Sequence, residues 1–84
     1  MTEPEILKTL ADWMQEHQDI RADRVKMEAS INEDLLLDSL DQVELVMALE
    51  ERFQVDIDDE TAGSWKTIGD VVRFLAARPV LASE

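Results

Sequence analysis

Asp38-Ser39-Leu40-Asp41-Gln42-Val43-Glu44-Leu45-Val46-Met47-Ala48-Leu49-Glu50-Glu51-Arg52-Phe53 carries the strongest helix signal in the chain, and its reading decides the fold. Asp38 suits an N-cap, where a short acceptor side chain meets the free N–H groups of a first helical turn. Asp41, three positions on, adds negative charge at the positive end of the helix. At about 100° per residue, Leu45, Val46, Leu49 and Phe53 share one sector, while Leu40, Val43 and Met47 form a separate stripe. Glu44, Glu50 and Glu51 flank that smaller stripe, with Asp41 further out. One stripe must face a core. The second is either buried by a crowded bundle or left as an apolar strip rimmed by acids, the build of a transient interface. The pattern alone leaves both open. Met47 suits varied partners because an unbranched thioether adapts to differently shaped pockets, but methionine also fills cores.

Working outward, Thr2-Glu3-Pro4-Glu5 has capping-box spacing with a proline in the first turn. Ile6, Leu7, Leu10, Ala11, Met14 and His17 then recur at helical spacing, which predicts a first helix ending near His17. From Gln18 to Asp38 no period is sustained. Ile20, Val25, Ala29, Ile31 and Leu35 punctuate that stretch as apolar pins, so it reads as a long ordered loop. Beyond the central helix comes a break at Val55-Asp56-Ile57-Asp58, then a helical turn around Asp59 to Ala62. Thr67-Ile68-Gly69-Asp70 opens a last helix with Ile68, Val71, Val72 and Leu75 on its apolar face. Arg78 and Pro79 mark its end, and residues 79–84 read as a loose tail. The fold class is all-α: a small helical bundle of three main helices plus one short helix, with a long loop between the first and second. Residues 1–84 form one domain.

Composition narrows the function. A chain of 84 residues buries only somewhat more than ~60% of its unfolded surface, enough for a compact core and no second domain. With no cysteine and one histidine, His17, there is no disulfide framework, thiolate site, multi-histidine metal site or persuasive catalytic triad. A net charge of −12 repels nucleic acid and anionic lipid. Between Glu33 and Glu60 the only base is Arg52, so this stretch is either a solvated face or a docking surface for basic partners. The acidic run Asp56-Ile57-Asp58-Asp59-Glu60 fails as a calcium loop, because Thr61 and Thr67 stand where its glycine and glutamate belong. No apolar run is long enough to insert in a membrane, and the acidic N-terminus is no signal peptide. A soluble intracellular domain is expected.

Ser39 follows the predicted cap, where backbone N–H groups lack intrahelical partners. A phosphodiester on its hydroxyl would lie near those donors and the positive helix end, though Asp38 and Asp41 oppose it. A serine at a helix start is more often a simple cap or a tolerated neighbour.

The run Glu33-Asp34-Leu35-Leu36-Leu37-Asp38-Ser39-Leu40-Asp41-Gln42-Val43-Glu44-Leu45-Val46-Met47-Ala48-Leu49-Glu50-Glu51-Arg52-Phe53 resembles the acyl carrier proteins of dissociated bacterial synthases. Asp38-Ser39-Leu40 matches their Asp-Ser-Leu motif, and the likeness extends to Ile20, Val25, Val55-Asp56-Ile57 and Thr67-Ile68. The resemblance implies that Ser39 receives 4′-phosphopantetheine from coenzyme A through a separate, magnesium-dependent phosphopantetheinyl transferase. It implies a non-catalytic cytoplasmic monomer whose arm holds acyl groups as thioesters. Asp38, Asp41, Glu44, Glu50 and Glu51 would then meet basic patches on acyl-loading, ketosynthase-type and other biosynthetic enzymes, with Leu40, Val43 and Met47 between them. The pathway would be fatty-acid or polyketide-like biosynthesis. Aminoacyl, peptidyl or D-alanyl carriers would use the same serine, and an unmodified acidic interaction module is the reading from a different class.

Two departures from the family pattern stand out. Leu36 occupies the position of the usual glycine, and Leu37 follows it. A positive φ would be costly for leucine, so the loop is expected to run differently there and to add an apolar patch beside the arm. Trp65 stands before the last helix, where relatives of primary metabolism lack a tryptophan; it reads as a core lid or a contact for the acyl chain. Both departures favour a specialised pathway.

Overall fold

The computed structural model describes residues 2–77. Helix α1 spans Glu3–His17, α2 Ser39–Phe53, α3 Asp59–Ser64 and α4 Ile68–Ala77. This is the helical bundle expected, with its long loop between α1 and α2. The expected tail and the Arg78-Pro79 helix end lie outside the described residues.

Each helix start is built from its own sequence. Thr2 and Glu5 form a reciprocal capping box at α1, with Pro4 in the first turn. Asp58 caps α3 through a 2.7 Å bond from the Thr61 N–H. At α4 the Asp70 N–H donates to Thr67 Oγ1 at 3.2 Å, and Asp70 Oδ2 accepts from the Thr67 N–H at 3.1 Å.

The apolar faces meet in one core. Ile6, Leu10, Ala11 and Met14 of α1 are buried, as are Ile68, Val71, Val72 and Leu75 of α4, and these two helices pack against each other. Leu45 and Leu49 seal the core from α2, with Val46 and Phe53 half-buried beside them. His17, placed on the apolar face by periodicity, is instead exposed and stacks on Trp13 at 5.1 Å.

The long loop is ordered by two devices. Its pins Val25, Ala29, Ile31 and Leu35 are buried, and Ile20 packs against them half-buried. A 3-10 turn at Ala22–Arg24 was not visible in the pattern. The loop is also zipped to the start of α4. Ile31 N–H donates to Lys66 O, Ile68 N–H to Ala29 O and Gly69 N–H to Met27 O, at 2.9, 3.0 and 2.7 Å, around an antiparallel bridge between Ser30 and Thr67. Gly69 is needed for this approach, since a Cβ there would sit 2.8 Å from the Met27 carbonyl oxygen.

At Leu36 the expectation of a rerouted loop is corrected. Leu36 adopts φ 57, the left-handed conformation that a glycine takes at no cost. The reason lies on either side. Leu35 N–H donates to Ser30 O and Leu37 N–H to Ile31 O, both at 3.1 Å, while the Leu35 and Leu37 side chains are buried. Two anchored neighbours over-determine the residue between them, so the strain persists. The expected apolar patch is present, because Leu36 is 76% exposed.

Candidate functional site

The site is organised by the first turn of α2. Asp38 Oδ1 accepts from the Asp41 N–H at 2.9 Å, and Asp41 Oδ2 accepts from the Asp38 N–H at 3.3 Å. From the C-cap of α1, Gln18 Nε2 reaches across to the Asp41 carbonyl at 2.8 Å, fixing the turn against the rest of the bundle. Gln42 Nε2 ties it to the preceding loop through Asn32 Oδ1 at 2.7 Å. Ser39 is thus the first residue of a helix held on three sides.

The Ser39 hydroxyl is exposed, and no hydrogen bond to another described residue engages it. The other described serines differ. Ser30 Oγ accepts from the Glu33 N–H at 3.1 Å, and Ser64 Oγ donates to the Thr61 carbonyl at 2.7 Å.

Beside Ser39 lies a cavity of about 410 Å³ between α2, α3 and the segment before α4. Exposed Ser39, Val43 and Met47 border it, while buried Leu45, Ile57 and Trp65 line its depth. Trp65 packs on Phe74 with ring centroids 5.5 Å apart, so it is both a core residue and a wall of the cavity.

The second stripe of α2 is exposed. Leu40, Val43 and Met47 are left 65%, 53% and 62% accessible, whereas the first stripe forms core. The acids around it divide by geometry. Asp38 and Asp41 are occupied with each other's backbone, and Glu50 Oε2 accepts the Ile57 N–H at 3.0 Å, holding the turn after α2. No hydrogen bond or ion pair among the described residues engages the Glu44 or Glu51 carboxylate. The task of Glu50 was not legible, because its partner lies beyond the helix end where periodicity stops.

Comparison with known proteins decides the family. The model for "Phosphopantetheine attachment site" matches residues 5–75. An acyl carrier protein from Prochlorococcus marinus (strain MIT 9515) is 42% identical over 78 residues, which cover 93% of this chain and 98% of the relative. The chain belongs to the acyl carrier protein family. An acyl carrier protein from Enterococcus faecalis superposes with a TM-score of 0.77 at 35% identity, across 94% of this chain and 100% of that one.

Acyl carrier proteins are non-catalytic, and the group they bear is covalent 4′-phosphopantetheine. An attached arm requires an accessible, unengaged hydroxyl on a rigid support. Among the described serines, Ser39 has such a hydroxyl, and it borders the cavity. No described helix is long and apolar enough to cross a membrane.

Proposed function

We propose that Ser39 is the attachment point of 4′-phosphopantetheine, and that this carrier presents acyl groups to enzymes of fatty-acid or polyketide-like biosynthesis in the cytoplasm. The observation that carries the reading is the exposed, unbonded Ser39 hydroxyl at the head of α2, bordering an apolar cavity. In the modification, Ser39 Oγ forms a bond to the pantetheine-side phosphorus of coenzyme A. The pyrophosphate P–O bond breaks, adenosine 3′,5′-bisphosphate leaves, and the serine proton passes to a base on the transferase. When bound, the arm supplies a thiol that holds the acyl group as a thioester.

The chain's own residues orient and present. The Asp38–Asp41 cap and Gln18 hold Ser39 on a fixed helix end. The buried walls Leu45, Ile57 and Trp65 offer an acyl chain a place out of water. Leu40, Val43 and Met47 form the apolar centre of a docking face for acyl-loading and ketosynthase-type enzymes. Asp38, Asp41, Glu44, Glu50 and Glu51 give that face its negative field, with Glu44 and Glu51 free to pair with basic partner groups. The cavity's apolar depth supports an acyl cargo over an aminoacyl, peptidyl or D-alanyl one, and the Leu36 and Trp65 departures support a specialised pathway.

The test is intact mass after incubation with coenzyme A, magnesium and a broad-specificity phosphopantetheinyl transferase. Gain of one phosphopantetheinyl unit by the wild type and none by a folded Ser39→Ala variant is the expected result. Equal gain by both contradicts the site.

A further inference from the structure

Among the described residues, the large hydrophobic side chains left exposed are Leu36, Leu40, Val43 and Met47, and they flank Ser39 on both sides. Three of them belong to α2. Leu36 does not. It lies in the loop, three residues before Ser39, and it is the most exposed of the four at 76%. Its φ of 57 also places it in the conformation that crowds a Cβ against the following carbonyl. In the free protein Leu36 therefore carries a double cost: backbone strain that glycine would relieve, and apolar surface that no described neighbour covers. Among the described residues nothing recovers either, because the loop is anchored through Leu35 and Leu37 instead. A strained, exposed leucine beside a modification site is explained if its side chain is buried only in a complex.

We infer that Leu36 is a recognition contact for the phosphopantetheinyl transferase, seated in an apolar recess of that enzyme beside the groove that takes Ser39. The inference rests on Ser39 being the modified residue. Bond formation at Ser39 Oγ requires the transferase to close directly on residue 39. A contact patch of about 800 Å² per partner centred there extends well beyond three residues of loop. Enzymes that act at the far end of the arm share the α2 face, but only the transferase must bring its own reacting groups to the Ser39 hydroxyl itself. The charge of the patch selects the partner's rim: Glu44 and Glu51 present carboxylates unpaired among the described residues, on a chain of net charge −12, so basic groups border the recess.

The experiment is steady-state phosphopantetheinylation of the 84-residue apo protein by a broad-specificity transferase with coenzyme A, comparing wild type, Leu36→Gly and Leu36→Met. Leu36→Gly relieves the left-handed strain, so it folds, and its Tm rises by a few degrees. Its KM for the carrier rises about five- to tenfold with kcat nearly unchanged, the loss of one partly buried leucine from an interface. Leu36→Met restores apolar bulk and brings KM back towards wild type. Equal kcat/KM for wild type and Leu36→Gly overturns the inference while leaving the Ser39 reading intact. A fall in kcat at constant KM also overturns it, because that assigns Leu36 to shaping the Ser39 loop. No modification of the wild type removes the Ser39 reading and this inference together.

Discussion

Asp38 and Asp41 cap each other across the first turn of α2, each carboxylate accepting the other's backbone N–H, at 2.9 and 3.3 Å. Two acids expected on the docking face therefore have structural work as well. Asp38→Ala is expected to lower stability by about 1 kcal/mol, the usual cost of an N-cap acceptor. For a domain this size that is a Tm decrease of about 4–8 °C, read by thermal unfolding. An unchanged Tm would mean that the cap does not support the helix bearing Ser39.

Glu44, Glu50 and Glu51 separate in a charge-reversal series. Glu44→Lys and Glu51→Lys leave Tm unchanged or slightly raised, because they reduce the repulsion of a chain at −12. Each lowers kcat/KM for transferase modification by about two- to fivefold at low salt, and the deficit shrinks as salt screens the pairing. Glu50→Lys behaves differently: it loses the bond to the Ile57 N–H and lowers Tm. A salt-independent defect at Glu44 would contradict electrostatic steering.

Asp70 predicts the acid limb of stability. Backbone hydrogen bonds from Lys66 and Thr67 lower its carboxyl below the ordinary aspartate value, with Arg73 adding to the effect. A depressed folded-state pKa stabilises above the unfolded value, and that contribution is lost as pH falls through the folded value. Asp70→Ala should thus lower Tm at pH 7, while the gap to wild type narrows as pH drops below about 4. Comparing the two proteins cancels the general relief of acidic repulsion. A gap that stays constant to pH 2 would contradict the assignment.

The cavity beside Ser39 predicts a cargo effect. An octanoyl group on the arm that enters the cavity stabilises the folded state by up to ~0.8 kcal/mol per buried CH₂. The octanoyl form should therefore melt above the unacylated form by several degrees. Ala62→Leu, which adds bulk to the cavity wall, should shrink that difference. Equal Tm for the two forms of the wild type would mean that the chain stays outside.

The bundle was legible where structure is local. The two stripes of α2 separated on the wheel, and Leu45 and Leu49 are core while Leu40, Val43 and Met47 are exposed. What periodicity left open was whether the second stripe is covered, since coverage depends on neighbours and not on spacing. The zipper joining Met27, Ala29 and Ile31 to Lys66, Ile68 and Gly69 pairs segments far apart in sequence, so no local signal announces it. Leu36 escapes a local reading because intrinsic preference argues against φ 57, whereas anchoring at Leu35 and Leu37 overrides it. Ser39 stood out through its motif and helix position, but its unengaged hydroxyl became visible only beside the bonded Ser30 and Ser64.

The central claim is the identity of the modified residue, and fragment-ion mass mapping of the transferase-treated wild-type protein tests it most directly. The account predicts one phosphopantetheinyl group, borne by Ser39. The same group on Ser30, Ser64, Ser83 or any other residue would contradict it.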